Sequence, residues 1–161
     1  MRTGTGYDIH RLIPTLERSF IPLGGVEIPC FFKTQAHSDG DVLLHALVAA
    51  CLGALALGDI GRWFPDNKAE NKQRPSREFV KEVMKEVKRL GWKVENFDST
   101  VLLEEPKLAA YCDAIRSTIA ELLEVELSSV SVKAKTMEGL GPVGEGRAIA
   151  CHAAVALTRL V

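Results

Sequence analysis

Residues 37–45 read HSDGDVLLH. Two histidines, two aspartates, a serine and a glycine fall within nine residues, and the apolar run ALVAACLGALALG follows directly at 46–58. A polar loop therefore becomes a buried helix at this junction. Ser38 is the expected N-cap, with Asp41 three residues later in the first turn. The spacing predicts a helix from about Asp41 to Leu57, apolar nearly all round through Val42, Leu43, Leu44, Leu47, Val48, Leu52, Leu55 and Leu57. Such a helix is buried on most sides. Asp41 and His45 are one turn apart and share a face. Taken alone, this stretch is better explained by helix capping plus one satisfied core histidine than by ligand binding, so the choice rests on what the rest of the chain supplies.

Working outward, residues 1–10 (MRTGTGYDIH) are glycine-rich and β-capable. With Tyr7–His10 extended, Asp8 and His10 project from one face of the strand. Residues 19–29 (SFIPLGGVEIP) predict two short strands joined at Gly24-Gly25, with prolines suited to an edge position. Phe31–Ala36 shows no clear period. Gly58–Pro65 is a loop, and the polar segment Asp66–Pro75 reads either as a solvated connector or as a lid beside the polar cluster.

A second helix is expected from Ser76, as its cap, to Gly91, with Phe79, Val80, Val83, Val87 and Leu90 at helical spacing and a solvated Lys/Glu face. Val94–Glu104 predicts a strand that Pro106 breaks. Lys107 then opens a third helix carrying Leu108, Ile115, Ile119, Leu122 and Leu123. It is a surface lysine or a phosphate holder near a helix N-terminus. Val130–Thr136 alternates as a strand. Met137–Gly146 has four glycines and a proline in ten residues, which presents backbone N–H groups freely. Ala148–Leu160 is a last strand, with Ile149, Cys151, Ala153, Val155 and Leu157 on one face. Ala148, Ala150, His152, Ala154 and Ala156 form the other, which admits a neighbouring backbone or subunit closely, and His152 reads as structural. The expected fold is a single α+β domain over residues 1–161. It has two layers, a mixed sheet covered by helices on one face, plus a small β-hairpin.

Composition narrows the function classes. With 161 residues and a net charge of −1, the chain can bury a real core and gives no electrostatic case for nucleic acid or an anionic membrane. The four cysteines contain no C-x-x-C pair, and three sit in apolar segments, as expected of free thiols in a reducing cytoplasm. Strand-like sequence begins at Arg2, so no targeting segment is expected. The apolar run after His45 is shorter than the roughly 18–20 residues that cross a bilayer.

Asp8, His10 and His45 make a set of two histidines and one carboxylate. Three protein ligands leave one tetrahedral position open, the pattern of catalytic zinc, and without sulfur manganese or cobalt also fits. Asp39 and Asp41 are candidates to orient histidine N–H groups. No Ser/His/Asp or reactive-cysteine arrangement is evident.

Five blocks carry a resemblance: GTGYDIH at 4–10, AHSDGDVLLHAL at 36–47, LGDIGRWFPD at 57–66, EEPKL at 104–108 and KAKTMEGLG at 133–141. In this order, over essentially the whole chain, they resemble the 2-C-methyl-D-erythritol 2,4-cyclodiphosphate synthase family. The resemblance implies a homotrimer with active sites between subunits. It implies zinc at Asp8, His10 and His45, with Ile9 in the same substrate-facing segment. His37 and Ser38 match the loop closing over the methylerythritol diphosphate, and His37 and Thr136 match two transition-state-stabilising positions. Asp59, Ile60 and Gly61, then Phe64, Pro65, Asp66, Asn67 and Lys68, match the segment holding the methylerythritol part, although Lys68 stands where an acidic residue can occur. From the neighbouring subunit, Leu103, Glu104, Glu105, Pro106, Lys107, Leu108 and Ala109 match the cytidine pocket. Lys135, Thr136, Met137 and Glu138 match the phosphate-holding segment, with magnesium or manganese at Glu138.

One region departs from the resemblance. Family members often read K-L-G-F and then G-R-G-E-G, whereas this chain has Pro142 after Gly141, Glu145 where the arginine stands, and Arg147 two places later. In related trimers these positions lie near an axial apolar cavity that can hold an isoprenoid diphosphate. The expectation is that the cavity here is closed or takes no diphosphate. Two other readings of the residues remain: a zinc-dependent phosphoester hydrolase with the same ligand set, and a non-catalytic trimeric module that zinc stabilises.

Overall fold

A computed structural model describes residues 1–65 and 67–160. Five strands form one sheet in the order β2-β1-β5-β3-β4, comprising β1 (Arg2–Leu23), β2 (Val26–Gln35), β3 (Trp92–Leu102), β4 (Val130–Lys135) and β5 (Ala148–Arg159). Only β3 and β4 pair in parallel, and the other neighbours are antiparallel. The helices are α1 (Val42–Ala54), α2 (Ile60–Trp63), α3 (Ser76–Arg89), α4 (Cys112–Leu123) and α5 (Gly141–Gly144). The mixed sheet with α1, α3 and α4 packed on it is the expected α+β arrangement.

The first strand and the first arm of the hairpin are one long strand. β1 runs unbroken in its extended course from Arg2 to Leu23, with a register shift against β2 between Pro14 and Ser19. Only its first half, Arg2–Arg11, also pairs with β5. Pro14 and Pro22 lie beyond that pairing, where a missing N–H costs no ladder bond on that side. Phe31–Gln35, which lacked a period, continues β2.

The buried faces follow the alternation of the sequence. Ile149, Cys151, Ala153, Val155 and Leu157 face the helices, whereas His152 and Ala154 are exposed on the opposite face beside Tyr7. α3 buries Phe79, Val80, Val83, Met84 and Val87 and presents its Lys/Glu face to solvent.

α1 is set very close to the sheet. The helix-facing residues of β1 are Gly4, Gly6, Asp8 and His10, and Gly4 and Gly6 lie under Ala46, Ala50 and Ala54. A Cβ on Gly6 would come within 2.9 Å of the Ala46 carbonyl carbon and the Ala50 nitrogen, so any side chain there forces strand and helix apart. Beyond the glycines the strand carries Asp8 and His10 toward the start of α1, where His45 stands.

The capping assignment differs from the sequence expectation. The N-cap of α1 is Asp41, not Ser38: its carboxylate accepts from Leu44 N at 3.0 Å, and also from Gly24 N at 2.9 Å and Gly25 N at 2.7 Å in the hairpin turn. One buried side chain thus ties helix to hairpin. Burial pushes its pKa up, against the three N–H bonds that pull it down. Ser76 is the first helical residue of α3, after Pro75 at the N-cap, and its hydroxyl serves another purpose described below. α4 begins at Cys112, five residues later than expected, so Lys107 lies in the preceding turns and donates to the Glu104 carbonyl at 3.2 Å. The glycine-rich stretch contains the short helix α5, which the glycine count concealed.

Candidate active site

The ligand atoms of three residues converge at the start of α1. Asp8 Oδ2 is 3.1 Å from His10 Nε2 and 2.9 Å from His45 Nδ1, and the two ring nitrogens are 3.1 Å apart. Tetrahedral zinc with bonds of about 2.0–2.1 Å requires donors roughly 3.3 Å apart, so this triangle fits a divalent ion after shifts of a few tenths of an ångström. Among the described residues it is the one group of three or more such side chains with this spacing. Burial raises the Asp8 pKa, but hydrogen bonds and charge from His10 and His45 outweigh it and leave the carboxyl well below its ordinary range.

His45 carries a second set of partners. Its Nε2 lies 2.8 Å from Ser76 Oγ and 3.0 Å from Ser38 Oγ. Ser76 in turn hydrogen-bonds Asp39 through both its hydroxyl and its backbone N–H, the latter at 2.9 Å. Asp39 therefore meets His45 through Ser76, not directly. Asp41, the other candidate to orient a histidine, instead caps α1 and holds the hairpin. Ser76 was legible in the sequence only as a cap, because nothing in its spacing links it to residues 39 and 45.

A cavity opens beside the triad. His10, Ala36, His37, Ser38 and His45 line one side, and Ile60, Gly61, Phe64, Asn71 and Phe79 the other. The segment predicted as connector or lid borders it. Gln73 N donates to the His37 carbonyl at 2.9 Å, and the buried Asn71 side chain donates to the Pro65 carbonyl at 3.0 Å. Phe64 stacks on Phe79 with ring centroids 4.3 Å apart, and the Arg74 guanidinium lies over both rings while pairing with Glu78 and Glu82. The base of this loop is thus fastened to α3. Asn71 and Phe79 are cavity residues that the sequence signals did not single out. Asp59 caps α2 through Arg62 N at 2.9 Å and so sets the start of the Ile60–Gly61 wall. Asn67 and Lys68 are exposed, and Lys68 lies 3.7 Å from Glu70. Asp66 lies outside the described residues. Ile9 points away from the triad, exposed on the far face of the sheet.

The remaining expected site residues gather elsewhere in the chain. Leu103 N donates to the Lys135 carbonyl at 3.0 Å, and Glu104 accepts from Met137 N at 2.5 Å, so the segments 103–109 and 135–138 form one cluster past the ends of β3 and β4. Thr136 Oγ1 donates to Glu138 Oε1 at 3.0 Å. Asp8 pairs with Cys151, Cys151 with Val101 and Val101 with Ala134. The two clusters are therefore about three strand spacings apart, roughly 14 Å across the sheet. Pro142 lies in the first turn of α5, and Glu145 is bound by Arg147 of the same chain at 2.7 Å.

An α+β sheet with a two-histidine, one-carboxylate group at the mouth of a cavity defines a class of protein whose site could hold a metal ion beside the cavity. Comparison with known proteins gives the family. The profile of the YgbB family matches residues 1–158. A Pseudomonas savastanoi protein named 2-C-methyl-D-erythritol 2,4-cyclodiphosphate synthase is 52% identical over 159 residues, 99% of each chain. Among solved structures, a CDP complex of IspF from Plasmodium falciparum is 35% identical, with a TM-score of 0.86 over 98% of this chain and 96% of that one. The bifunctional IspDF of Campylobacter jejuni is 37% identical with a TM-score of 0.92; the match covers 98% of this chain and 42% of that longer one. The chain belongs to the YgbB family.

Proposed function

We propose that this chain, as a single domain over residues 1–161, converts 4-diphosphocytidyl-2-C-methyl-D-erythritol 2-phosphate into 2-C-methyl-D-erythritol 2,4-cyclodiphosphate and CMP. It acts as a phosphorus–oxygen lyase of the non-mevalonate route to isoprenoid precursors. An oxygen of the 2-phosphate forms a bond to the β-phosphorus, the bond from that phosphorus to the bridging oxygen breaks, and CMP leaves with the electron pair. The substrate supplies its own nucleophile, which agrees with a site that has acidic, imidazole and hydroxyl groups but no activated serine or cysteine. Bringing two phosphates together opposes like charges, so positioning and charge neutralisation carry the catalysis.

The observation that carries the reading is the triangle of Asp8, His10 and His45 opening on a cavity, in a chain similar along its whole length to named synthases. Zinc, or manganese or cobalt, held by these three residues supplies Lewis-acid neutralisation of phosphate charge. His37 and Ser38 bind the diphosphate from the cavity wall, while Asp59–Gly61 and Phe64–Lys68 hold the methylerythritol part. The segments 103–109 and 135–138 bind the cytidine and its phosphates, Thr136 stabilises the transition state with His37, and Glu138 holds magnesium or manganese. The separation of the two clusters within one chain supports a homotrimer in which each site takes one cluster from each of two neighbouring subunits. The exposed, alanine-rich face of β5 around Tyr7 and His152 is suited to such close association. A metabolic role of this kind accords with a cytoplasmic enzyme.

Incubation of the metal-loaded protein with this substrate, followed by phosphorus NMR, tests the reading. The cyclic diphosphate and CMP should appear together. An open-chain product carrying an oxygen from labelled water would instead identify a hydrolase.

A further inference from the structure

Ser76 sits at a junction that the proposed reaction does not itself require. It is fully buried as the first residue of α3, yet its hydroxyl bonds to two groups, Asp39 and His45 Nε2, and its backbone N–H bonds to the same Asp39. Asp39 has no proton to donate when ionised, and its two oxygens already accept from Ser76 N, Ser76 Oγ and Asp41 N. The Ser76 hydroxyl hydrogen therefore points at Asp39. What remains on that oxygen is lone-pair density, so the His45 nitrogen facing it must be the donor. Ser38 Oγ, 3.0 Å away, accepts from Gly40 N at 3.2 Å and has a lone pair left for the same proton.

We infer that Asp39 and Ser76 form a relay that holds the proton of His45 on Nε2 and leaves Nδ1 as a lone pair aimed at the ion. The inference rests on the reading of Asp8, His10 and His45 as a metal site. Asp8 competes for the opposite arrangement, since its Oδ2 is 2.9 Å from His45 Nδ1 and would accept a proton from it. The relay opposes that arrangement, and it also fixes the plane of the imidazole. Ser76 and Asp39 are thus positioning residues for the ligand. Groups that orient a ligating histidine in this manner commonly change metal affinity 10- to 100-fold, roughly, when removed. The relay also ties the metal ligand to the start of α3, so the loop that carries His37 and the helix that carries Phe79 are registered on the same imidazole.

The test compares the wild-type protein with Ser76→Ala and Asp39→Asn. Zinc affinity is measured by chelator competition at fixed pH, and thermal unfolding of the metal-free forms is measured alongside it. Asp39→Asn keeps the shape but sets an amide N–H against either the Ser76 N–H or the Ser76 hydroxyl, so one of the two bonds that fix Ser76 is lost. Both variants should bind zinc about 10- to 100-fold more weakly than wild type. In the cobalt-loaded wild type, the His45 Nε2–H should appear as a paramagnetically shifted proton that exchanges slowly with solvent, and it should exchange faster in the variants. Unchanged zinc affinity accompanied by a lower unfolding temperature would overturn the relay and leave Ser76 as an anchor for α3. Should neither variant fold, rapid exchange of that proton in wild type overturns it and slow exchange sustains it. A wild-type protein that takes up neither zinc nor cobalt overturns the metal site itself, and the relay with it.

Discussion

Gly6 and Ala46 meet backbone to backbone, and this contact sets the distance between the first strand and the helix that carries His45. Asp8 and His10 follow Gly6 by two and four residues on the same face of β1, while His45 precedes Ala46 on α1. The spacing of the ligand triangle is therefore fixed by how closely the two backbones approach.

Gly6→Ala should push α1 off the sheet, because the obstructing atoms are main chain and cannot rotate aside. A loss of about 3 kcal/mol, the upper end of ordinary overpacking, is expected in urea unfolding, with weaker zinc binding as His45 leaves its position. Gly53→Ala, on the same helix, provides the contrast. Its nearest neighbour would be the Thr5 carbonyl oxygen at 3.7 Å, an ordinary contact, so alanine there should stabilise by up to about 1 kcal/mol. Equal effects at the two positions would contradict the close approach at Gly6.

Asp41→Ala removes an N-cap and leaves the Gly24 and Gly25 N–H groups without their carboxylate. Unfolding should become easier by on the order of 3 kcal/mol, combining a lost cap with unpaired donors. Hydrogen exchange should speed up at Gly24, Gly25 and Leu44 together, since one side chain protects all three. Protection that persists at Gly24 and Gly25 would argue against the tie.

All four cysteines are free, and burial pushes Cys51 and Cys151 up to about 12. At pH 8 only about one part in ten thousand of each is thiolate, the reactive form. Iodoacetamide followed by mass spectrometry should leave both unlabelled in the native protein and label both in urea. Native labelling of Cys51 would show that α1 opens.

The proposed trimer, with sites shared between subunits, predicts complementation. Asp8→Asn damages one cluster and Glu138→Gln the other, so each variant alone should be inactive. Trimers reassembled from an equal mixture should recover about a quarter of the wild-type activity, the fraction of sites built from two undamaged halves. No recovery from folded mixed trimers would place the whole site within one chain.

Arg147 is bound to Glu145 of its own chain, and that glutamate takes the place where the family resemblance puts an arginine, so the pair offers a diphosphate no free positive charge. Calorimetric titration with farnesyl or geranyl diphosphate should show no binding. Binding at low micromolar concentration would refute this.

Much of the fold was written in local pattern. The two-residue period of β5, the helical period of α3 and the Gly24-Gly25 turn needed no tertiary information, because each records a burial preference repeated along one element. The ligand set was equally local in part: Asp8 and His10 share a strand face whatever that strand packs against. Other features had no local signature. The hairpin prolines disguised a single 22-residue strand, since whether a missing N–H is costly depends on which neighbours are paired. Ser38 and Asp41 competed for one cap, and the choice went to the side chain that could also satisfy the turn 16–17 residues away.

The sequence by itself determined the alternation of buried faces, the ligand types and the chemistry they permit, because these depend on side-chain identity and short-range period. Only the tertiary structure decided that a glycine–alanine contact brings His45 to Asp8 and His10, and that Ser76 stands between Asp39 and His45. It also decided that residues 103–109 and 135–138 gather well away from the triad. Each is a meeting of residues distant in the chain, and it is fixed by how closely strands and helices can approach rather than by any preference of one segment.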